Sequence, residues 1–394
     1  MKGIYISINL VFILSNFLMK NLSTIDEILR LYLDDDDFGG TYIDVIHRMI
    51  FINTLNETRA EQIKNLPEIR LYANSLNFSK ALNSTAILNS GINDMLILAR
   101  RYRPVECLGY IDVKVNNIVI ATCDDDRNKN EAFLNATKIY YPIYMYYNCF
   151  PEINNNIISQ NNIKFENRND IASYILAGDG LSIERFNRTT YKCSAGFWAK
   201  SRFNPINYIV TAGHCYRRGA SYYLLPWNST DENVKYYVGK MLIHYLSPID
   251  VGLIPILGNV TPVANIRNTD SKEFPQLWIK DHIVVSSNGA HLCISGLYSH
   301  VKCGNVKALS GFASTLDRED YIEKLFVVSM STVGGDSGGP VFSYNQDLIS
   351  TSINGILLGG FDYDINGDIN NAIIQVTPID FILNYNGIEI ITVT

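Results

Sequence analysis

From about residue 175 onward the chain is a succession of short runs rich in β-branched and aromatic residues, separated by Gly, Asn, Pro and Ser. Such side chains favour the pleated backbone of a strand, whereas the separating residues favour turns. Many strands at short spacing, with few helical segments, predict an all-β barrel or sandwich architecture. The clearest runs are Tyr208–Thr211, Tyr236–Val238, Val251–Ile254, His282–Val285, Leu325–Val328 and Gly355–Leu358.

The chain has 394 residues, which suits two domains better than one. Apolar residues make up 47% and charged residues 18% of the chain, so a packed core is expected and wholesale disorder is not. The net charge of −6 argues against a nucleic-acid partner, because such a partner requires a basic face. No internal repeat of solenoid length is present.

Residues 1–20 have the character of a secretory signal peptide. Lys2 precedes a short apolar run that ends near Phe17, too short for a membrane span. The alternative is a buried N-terminal helix. No later segment is apolar enough to cross a bilayer, so we expect a secreted, extracellular protein with no membrane contact beyond the signal peptide.

Glycosylation sequons and cysteines fit an oxidising, secretory route. Four of the seven cysteines lie from Cys193 onward at hairpin-like spacings, and an oxidising compartment would pair them. The other three, Cys107, Cys123 and Cys149, leave one odd cysteine. Asn-x-Ser/Thr sequons, each weak alone, occur at Asn21, Asn56, Asn77, Asn83, Asn135, Asn187, Asn228 and Asn259.

The first block, residues 21–174, is predicted to be a small α+β unit. The acidic run Asp34–Asp37 is interpreted as a solvated link, with a cation site as the alternative. Residues 153–174 are predicted to be an exposed linker, where proteases cut. The predicted elements are a helix over 23–33, a hairpin of strands 41–46 and 49–53, helices from near Thr58 and around 93–100, and strands 109–115 and 117–122.

Three short segments of the second block carry residue types that suit acyl-transfer chemistry. A serine hydroxyl needs a base during attack, and a histidine needs a carboxylate that fixes its tautomer. The oxyanion that forms needs backbone N–H groups at a glycine-rich turn. The segments are Thr211–Cys215, Ser247–Ile254 and Gly334–Val341, the last reading Gly-Gly-Asp-Ser-Gly-Gly-Pro-Val.

These segments predict His214 as the base, Asp250 as its orienting carboxylate and Ser337 as the nucleophile, with Gly335 and Ser337 as oxyanion donors. Each has a plainer interpretation: a Gly-Asp-Ser-Gly turn, a structural histidine and a turn aspartate. Their order along the chain favours the catalytic interpretation. No Cys or His spacing indicates a metal site, and we expect no cofactor.

The segments resemble the chymotrypsin-like serine proteases, in particular the streptogrisin and alpha-lytic protease branch, which is made with large pro regions. The likeness spans about residues 175–376. It also includes Cys193–Phe197 and Gly289–Gly296, with closure at Cys303-Gly304.

The resemblance implies two six-stranded antiparallel barrels in a protease domain of residues 175–394, with the site between them. It implies disulfides Cys193–Cys215 and Cys293–Cys303. It also implies cleavage near Ile175, with residues 21–174 as a pro region that assists folding and blocks the site. The implied substrate pocket is lined by Ser331, Thr332, Gly334, Leu358, Gly359 and Gly360.

Three departures from that branch stand out. Ile294 replaces a basic residue that is thought to pair the buried aspartate of the Gly-Asp-Ser turn, so Asp336 needs another partner: the new amino terminus, an arginine or buried water. Leu358 replaces a serine that supports the triad aspartate. The branch's disulfide near the nucleophile has no counterpart.

No acid stands at the expected pocket base, which favours an apolar or aromatic residue before the scissile bond.

The sequence therefore predicts a secreted serine endopeptidase made as a zymogen, a hydrolase acting on protein or peptide substrates, and we expect a monomer. One alternative is a weak or inactive binding protein on a protease scaffold, which Ile294 and Leu358 keep open. Another is a hydrolase that acts on esters or other acyl donors with the same machinery.

Overall fold

A computed structural model describes residues 19, 21–149, 174–186, 189–227, 236–315 and 321–393. Apart from residues 19 and 174, the predicted signal peptide and linker lie outside these residues. Within the described part of the chain, no helix combines the length and apolar character needed to cross a membrane.

The first block is an α+β unit, as predicted. The side chains of Asn56 and Ser84 accept hydrogen bonds from backbone N–H groups and cap the helices Glu57–Lys64 and Thr85–Tyr102. Its elements are α1 (21–30), β1 (Phe38–Asp44), β2 (Met49–Thr54), α2 (Glu57–Lys64), α3 (Pro67–Arg70), β3 (Leu76–Lys80), α4 (Thr85–Tyr102), β4 (Cys107–Asp112), β5 (Asn117–Cys123), α5 (Glu131–Thr137) and β6 (Ile143–Tyr147).

The strands of the first block form two separate groups. Strands β1, β2 and β3 make one small sheet, which contains the predicted hairpin. Strands β4, β5 and β6 make the second group, and β4 pairs antiparallel with a long strand of the second block. The first block therefore extends a sheet of the second block.

The second block is all-β, with one terminal helix. Its first barrel contains β8 (Gly180–Glu184), β9 (Thr190–Ser194), β10 (Phe197–Ser201), β11 (Asn207–Thr211), β12 (Ser221–Leu225), β13 (Tyr236–Gly239), β14 (Ile243–Tyr245) and β15 (Val251–Pro255). All pairings are antiparallel. When β9–β10 and β13–β14 are each taken as one interrupted strand, six strands complete the barrel.

The second barrel closes through six antiparallel pairings in the order β18–β19–β20–β23–β22–β21–β18. Its strands are β18 (His291–Gly296), β19 (His300–Ser314), β20 (Tyr321–Ser329), β21 (Pro340–Tyr344), β22 (Ser350–Phe361) and β23 (Ile373–Pro378). The two-barrel, trypsin-like fold predicted for this block is confirmed.

Four further strands and a helix join these parts: β7 (Tyr174–Ala177), β16 (Thr261–Arg267), β17 (Gln276–His282), α6 (Ile379–Asn386) and β24 (Ile388–Ile390). The prediction of a strand over 282–285 was wrong in its bounds, because β17 ends at His282 and the next two apolar side chains are largely exposed. Strand β17 pairs in parallel with β22, and β7 pairs in parallel with β16.

The buried apolar side chains form cores that cross these boundaries. One cluster joins the two barrels, for example through Val210 and Phe342. Another joins the first block to the second barrel and contains Leu108, Tyr147 and Val327. Burial of shared apolar surface stabilises each junction, so the first block is packed against the barrel that carries the Gly-Asp-Ser turn.

Candidate active site

The ends of two paired strands bring His214 and Asp250 together. Strand β11 ends at Thr211 and leads into a short 3-10 turn, Gly213–Cys215; Asp250 immediately precedes β15. Because Thr211 pairs with Gly252 in the β11–β15 ladder, the residues that flank these positions meet at the same edge of the first barrel.

Asp250 accepts two hydrogen bonds from His214. Its Oδ1 accepts from the backbone N–H of His214 at 2.9 Å, and its Oδ2 lies 2.5 Å from Nδ1 of the ring. A carboxylate can only accept, so Nδ1 carries the proton and Nε2 keeps its lone pair for a substrate-side role. A side chain at Gly213 would collide with Tyr245 O and Asp250 Oδ1, so this approach requires glycine.

The electrostatic environment favours a charged His214. Burial disfavours the imidazolium, and Arg217 opposes it too, but the charge and hydrogen bond of Asp250 outweigh both and raise the pKa of His214 above 6.5. The Asp250 side chain is 2% exposed, whereas that of His214 is 40% exposed. The Asp250 carboxylate is therefore shielded from solvent, while part of the His214 ring remains exposed to it.

The Ser337 turn packs directly against the strand end that leads to His214. The Ser337 carbonyl accepts from Ser194 N at 2.8 Å and lies 3.9 Å from Cys215 Sγ. Gly338 has a φ of 84°, and a side chain there would meet Thr211 Oγ1. Ser337 is half-buried. Within the described part of the chain its Oγ makes no hydrogen bond, and so none to the His214 ring.

The buried Asp336 carboxylate is held by backbone N–H groups. Its Oδ1 accepts from Tyr298 N at 2.8 Å and Ser299 N at 3.1 Å, and its Oδ2 accepts from Val333 N at 3.0 Å. The sequence named an arginine, a new amino terminus or water as candidate partners, whereas the partners found among the described residues are backbone N–H groups. Three backbone donors satisfy a carboxylate without a cation, so Ile294 leaves no unpaired charge.

Two N–H groups beside Ser337 point to no partner among the described residues: those of Gly335 and Ser337 themselves. Gly335 has a φ of 109°, where a side chain would be strained and would meet the Tyr298 ring. The Gly335 carbonyl accepts from Ser194 Oγ at 2.9 Å, which fixes the plane of the Gly335–Asp336 peptide. These are the donors that the sequence suggested for an oxyanion.

Both disulfides implied by the resemblance are present. Cys193–Cys215 ties the residue after His214 to β9, and Cys293–Cys303 links β18 to β19. A third, Cys123–Cys149, lies in the first block and leaves Cys107 as the odd cysteine. Burial raises the pKa of the Cys107 thiol, so this thiol is unreactive.

Three clusters in the described residues bring potential metal-ligating atoms together, but each contains two cysteines that are already joined in a disulfide. A disulfide sulfur is not a thiolate and does not serve as a metal ligand of the usual kind. The remaining groups, such as His291 or Glu106, are single residues.

Leu358, which stands where a supporting serine was expected, instead packs on the core shared with the first block. Thr377 Oγ1 donates to the Asp250 carbonyl at 3.1 Å and so holds the backbone of the acid. Sequence reasoning missed this contact and also a buried ion pair, Arg267–Asp179. Neither pair is marked by a motif, because the partners are far apart in the chain.

Comparison with known proteins agrees with this architecture. Residues 201–379 match the family model Trypsin, which identifies this stretch as a trypsin-like serine protease domain. No curated protein matches the chain.

Similar solved structures include Thermobifida fusca protease A, with 21% sequence identity and a TM-score of 0.41. Nocardiopsis protease has 19% sequence identity and a TM-score of 0.43. Cellulomonas bogoriensis chymotrypsin has 20% identity and a TM-score of 0.40. Each comparison covers 56% of this chain and 100% of the other. At these identities and TM-scores, the similarities add no evidence about the function of this chain.

Proposed function

We propose that the trypsin-like serine protease domain is an endopeptidase that forms an acyl-enzyme on Ser337. The observation that carries the proposal is the doubly hydrogen-bonded His214–Asp250 pair beside a glycine-lined turn that bears Ser337. The bond from Nδ1 to Asp250 leaves Nε2 as the base. This is the arrangement that removes a proton from a serine hydroxyl at neutral pH.

In the proposed reaction, Ser337 Oγ attacks the scissile carbonyl carbon while His214 Nε2 takes the hydroxyl proton. The oxyanion is stabilised by the N–H groups of Gly335 and Ser337, which have no other partner among the described residues. The imidazolium, stabilised by Asp250, then protonates the leaving amine. Water attacks the acyl-enzyme in the same way, and Ser337 is restored.

The inactive-scaffold alternative was based on Ile294 and Leu358. The three N–H donors on Asp336 remove the first reason, because no charge is left unpaired. The contact of Thr377 with the Asp250 backbone weakens the second, because it supplies support from another strand. Ester hydrolysis uses the same groups, and parallel assays of peptide and ester substrates distinguish the two.

We also infer that the chain is a precursor, with a signal peptide at residues 1–20 and a pro region at 21–174. The antiparallel pairing of β4 with β19 and the shared core support a folding role, because the first block supplies an edge and apolar surface to the second barrel. On this proposal the pro region also inhibits until the linker is cut. Tyr174 is exposed and Ile175 fully buried, which favours a cut at or just before Tyr174.

Secretion is proposed on the signal-like N-terminus, the three disulfides and the sequons. Among the described sequons, those at Asn21, Asn77, Asn135 and Asn259 are exposed and could carry a glycan. We further propose that the mature enzyme is an extracellular monomer.

Labelling of the secreted protein with a fluorophosphonate probe, followed by peptide mapping and N-terminal sequencing, tests the proposal. We expect the label on Ser337 and a new N-terminus near Ile175. A correctly processed chain that takes no label would favour the inactive scaffold. A labelled chain that keeps its first block covalently attached would contradict the precursor proposal alone.

A further inference from the structure

The two segments proposed to line the substrate pocket are joined by a single side chain. Asp362 follows the end of β22, just beyond Gly360, and its Oδ1 accepts from Thr332 N at 2.9 Å. Asp362 thus extends from one wall of the pocket to the other. Sequence reasoning found no acid at the expected pocket base, and Asp362 lies two residues beyond Gly360, the last residue assigned to the second wall.

The space between the walls is open. Gly334 stands on one wall and Gly359 on the other, and a Cβ added at either position would meet no atom within 4 Å. Gln375 is the register partner of Gly359 in the β22–β23 pair. Antiparallel partners point to the same face of a sheet, so the buried Gln375 amide lies on the side of this space, and its Oε1 has no partner among the described residues.

The polar groups around this space are rich in hydrogen-bond acceptors. Apart from the bond to Thr332 N, the half-buried Asp362 carboxylate has no hydrogen bond within the described residues, so its second oxygen is available. Burial is the main influence on the pKa of Asp362 and raises it, with the nearby Asp336 charge adding to the effect. A bound cation would relieve this unfavourable environment.

One cation already lies nearby. Lys302 Nζ donates to Ser331 Oγ at 3.4 Å, and its charge acts on Asp362 without forming an ion pair. Lys302 is half-exposed on β19, and its flexible stem lets the ammonium move into solvent. Asp362, by contrast, is fixed by the Thr332 N–H. The fixed Asp362 carboxylate therefore faces a mobile ammonium that makes no ion pair with it, and the buried Asp336 charge adds to the negative potential at Asp362, so the local charge favours a positive ligand.

We propose that Asp362 is a specificity-determining residue that selects Lys or Arg immediately before the scissile bond. This inference rests on the proposed endopeptidase function and on the pocket assigned with it. It replaces the apolar or aromatic preference expected from the sequence. The guanidinium or ammonium of the substrate would pair with the free oxygen of Asp362 and displace Lys302 towards solvent.

The test uses processed enzyme and a series of peptide anilides that differ only in the residue before the scissile bond: Arg, Lys, citrulline, Leu and Glu. Citrulline has the shape of Arg without its charge. We expect kcat/KM for the Arg peptide to exceed that for the citrulline peptide. Asp362→Asn should lower this Arg-to-citrulline ratio of kcat/KM by about 10- to 30-fold. Asn keeps an acceptor for Thr332 N, so the variant removes charge and preserves the link between the walls.

Asp368→Asn is the matched control. Asp368 lies in the same loop, is exposed, and accepts only from Asn370 N through its side chain among the described residues, so the same loss of charge should leave the Arg-to-citrulline ratio unchanged. An equal ratio in parent and Asp362→Asn, or a preference for Glu, would overturn the inference. The second result would mean that Lys302 governs the pocket.

Benzamidine, an aromatic cation, separates the pocket from the chemistry. We expect it to raise the melting temperature of the parent protein and of Asp368→Asn but not that of Asp362→Asn. If no peptide is cleaved while benzamidine still binds through Asp362, the proposed function fails and the cation-selective pocket stands. If neither cleavage nor binding occurs, both proposals fail.

Discussion

The two halves of the candidate site are held by different kinds of bond. In the base half, His214 and Asp250, one side chain holds another, and a carboxylate charge is part of the contact. In the nucleophile half, the turn of residues 334–339, the geometry is set by backbone hydrogen bonds and by glycines that admit close approach. Even the carboxylate of its buried acid, Asp336, accepts hydrogen bonds only from backbone N–H groups among the described residues.

This difference means that the halves should respond to different changes. The base half depends on protonation, because its central bond strengthens when the ring is charged. The nucleophile half depends on the shape of the backbone, because its donors are N–H groups that do not titrate. Variants that change charge without changing shape should therefore affect the first half most, and those that disturb packing should affect the second.

The largest expected effect is that of Ser337→Ala, which removes the only proposed nucleophile and leaves both halves in shape. We expect kcat to fall by about 10⁶-fold, with residual turnover from binding and the oxyanion donors. Steady-state assays on a peptide anilide measure it, and melting temperature checks the fold. Turnover within tenfold of the parent would show that another group attacks the substrate.

Asp250→Asn should have the next largest effect and should act on the base half alone. The amide is nearly isosteric, but it no longer favours the tautomer with the proton on Nδ1, so we expect kcat to fall by about 10⁴-fold. The backbone bonds of the Ser337 turn do not involve Asp250 and should persist. Steady-state assays measure kcat, and amide hydrogen exchange measures whether the backbone bonds of the Ser337 turn persist. Faster exchange in the turn of Asp250→Asn would show that the base half and the nucleophile half are not separable.

How far the sequence predicted the site follows the same division. His214, Ser337 and their glycines lie in compact motifs, because each local backbone shape needs particular residues at adjacent positions. The support of Asp336, the Thr377 contact and the Asp362 bridge could not be predicted. They join residues from different strands, and their partners are often backbone N–H groups, which every sequence offers.

The fold shows a similar limit. Strand-forming runs and turn residues predicted an all-β barrel or sandwich for the second block, and the family resemblance implied its two barrels. Capping residues and periodicity predicted most of the first block. The pairing of β4 with β19 was not predicted, since any strand edge presents the same N–H and C=O groups. Side chains specify which edges meet: the shared core, with Tyr147 beside Phe361, and the ion pair of Lys307 on β19 with Asp112 on β4.

Asp336→Asn should disturb the nucleophile half by a smaller amount. Asn offers one acceptor oxygen where Asp336 uses two, so either Val333 N or the pair of Tyr298 and Ser299 loses its partner. We expect the free energy of unfolding to fall by about 2 kcal/mol and kcat by about 10-fold or more. Denaturant unfolding and steady-state assays measure the two effects.

The control for this variant is Asp347→Asn. Asp347 also accepts from backbone N–H groups, those of Ile349 and Ser350, but it lies in an exposed turn where water replaces a lost partner. We expect a much smaller change in stability and none in kcat. Equal losses for both variants would mean that burial of Asp336 contributes nothing to the nucleophile half.

The smallest expected effect is on protonation of the base half. Asp250 raises the pKa of His214, so activity that needs the neutral ring should decline as pH falls through a value above 6.5. Conversely, the stability gained from the charged pair is fully present below pH 6.5 and is lost as pH rises through the higher folded-state pKa. In Asp250→Asn both transitions should move to lower pH.

Nitrogen NMR of labelled histidine in Ser337→Ala, with and without Asp250→Asn, measures this shift in the absence of turnover and self-cleavage. A His214 pKa at or below 6.5 in the presence of Asp250 would mean that burial and Arg217 outweigh the carboxylate. The base half would then be held by shape, as the nucleophile half is, and the contrast between them would disappear. A raised pKa that falls in the Asn variant would assign the difference to the charge of one side chain.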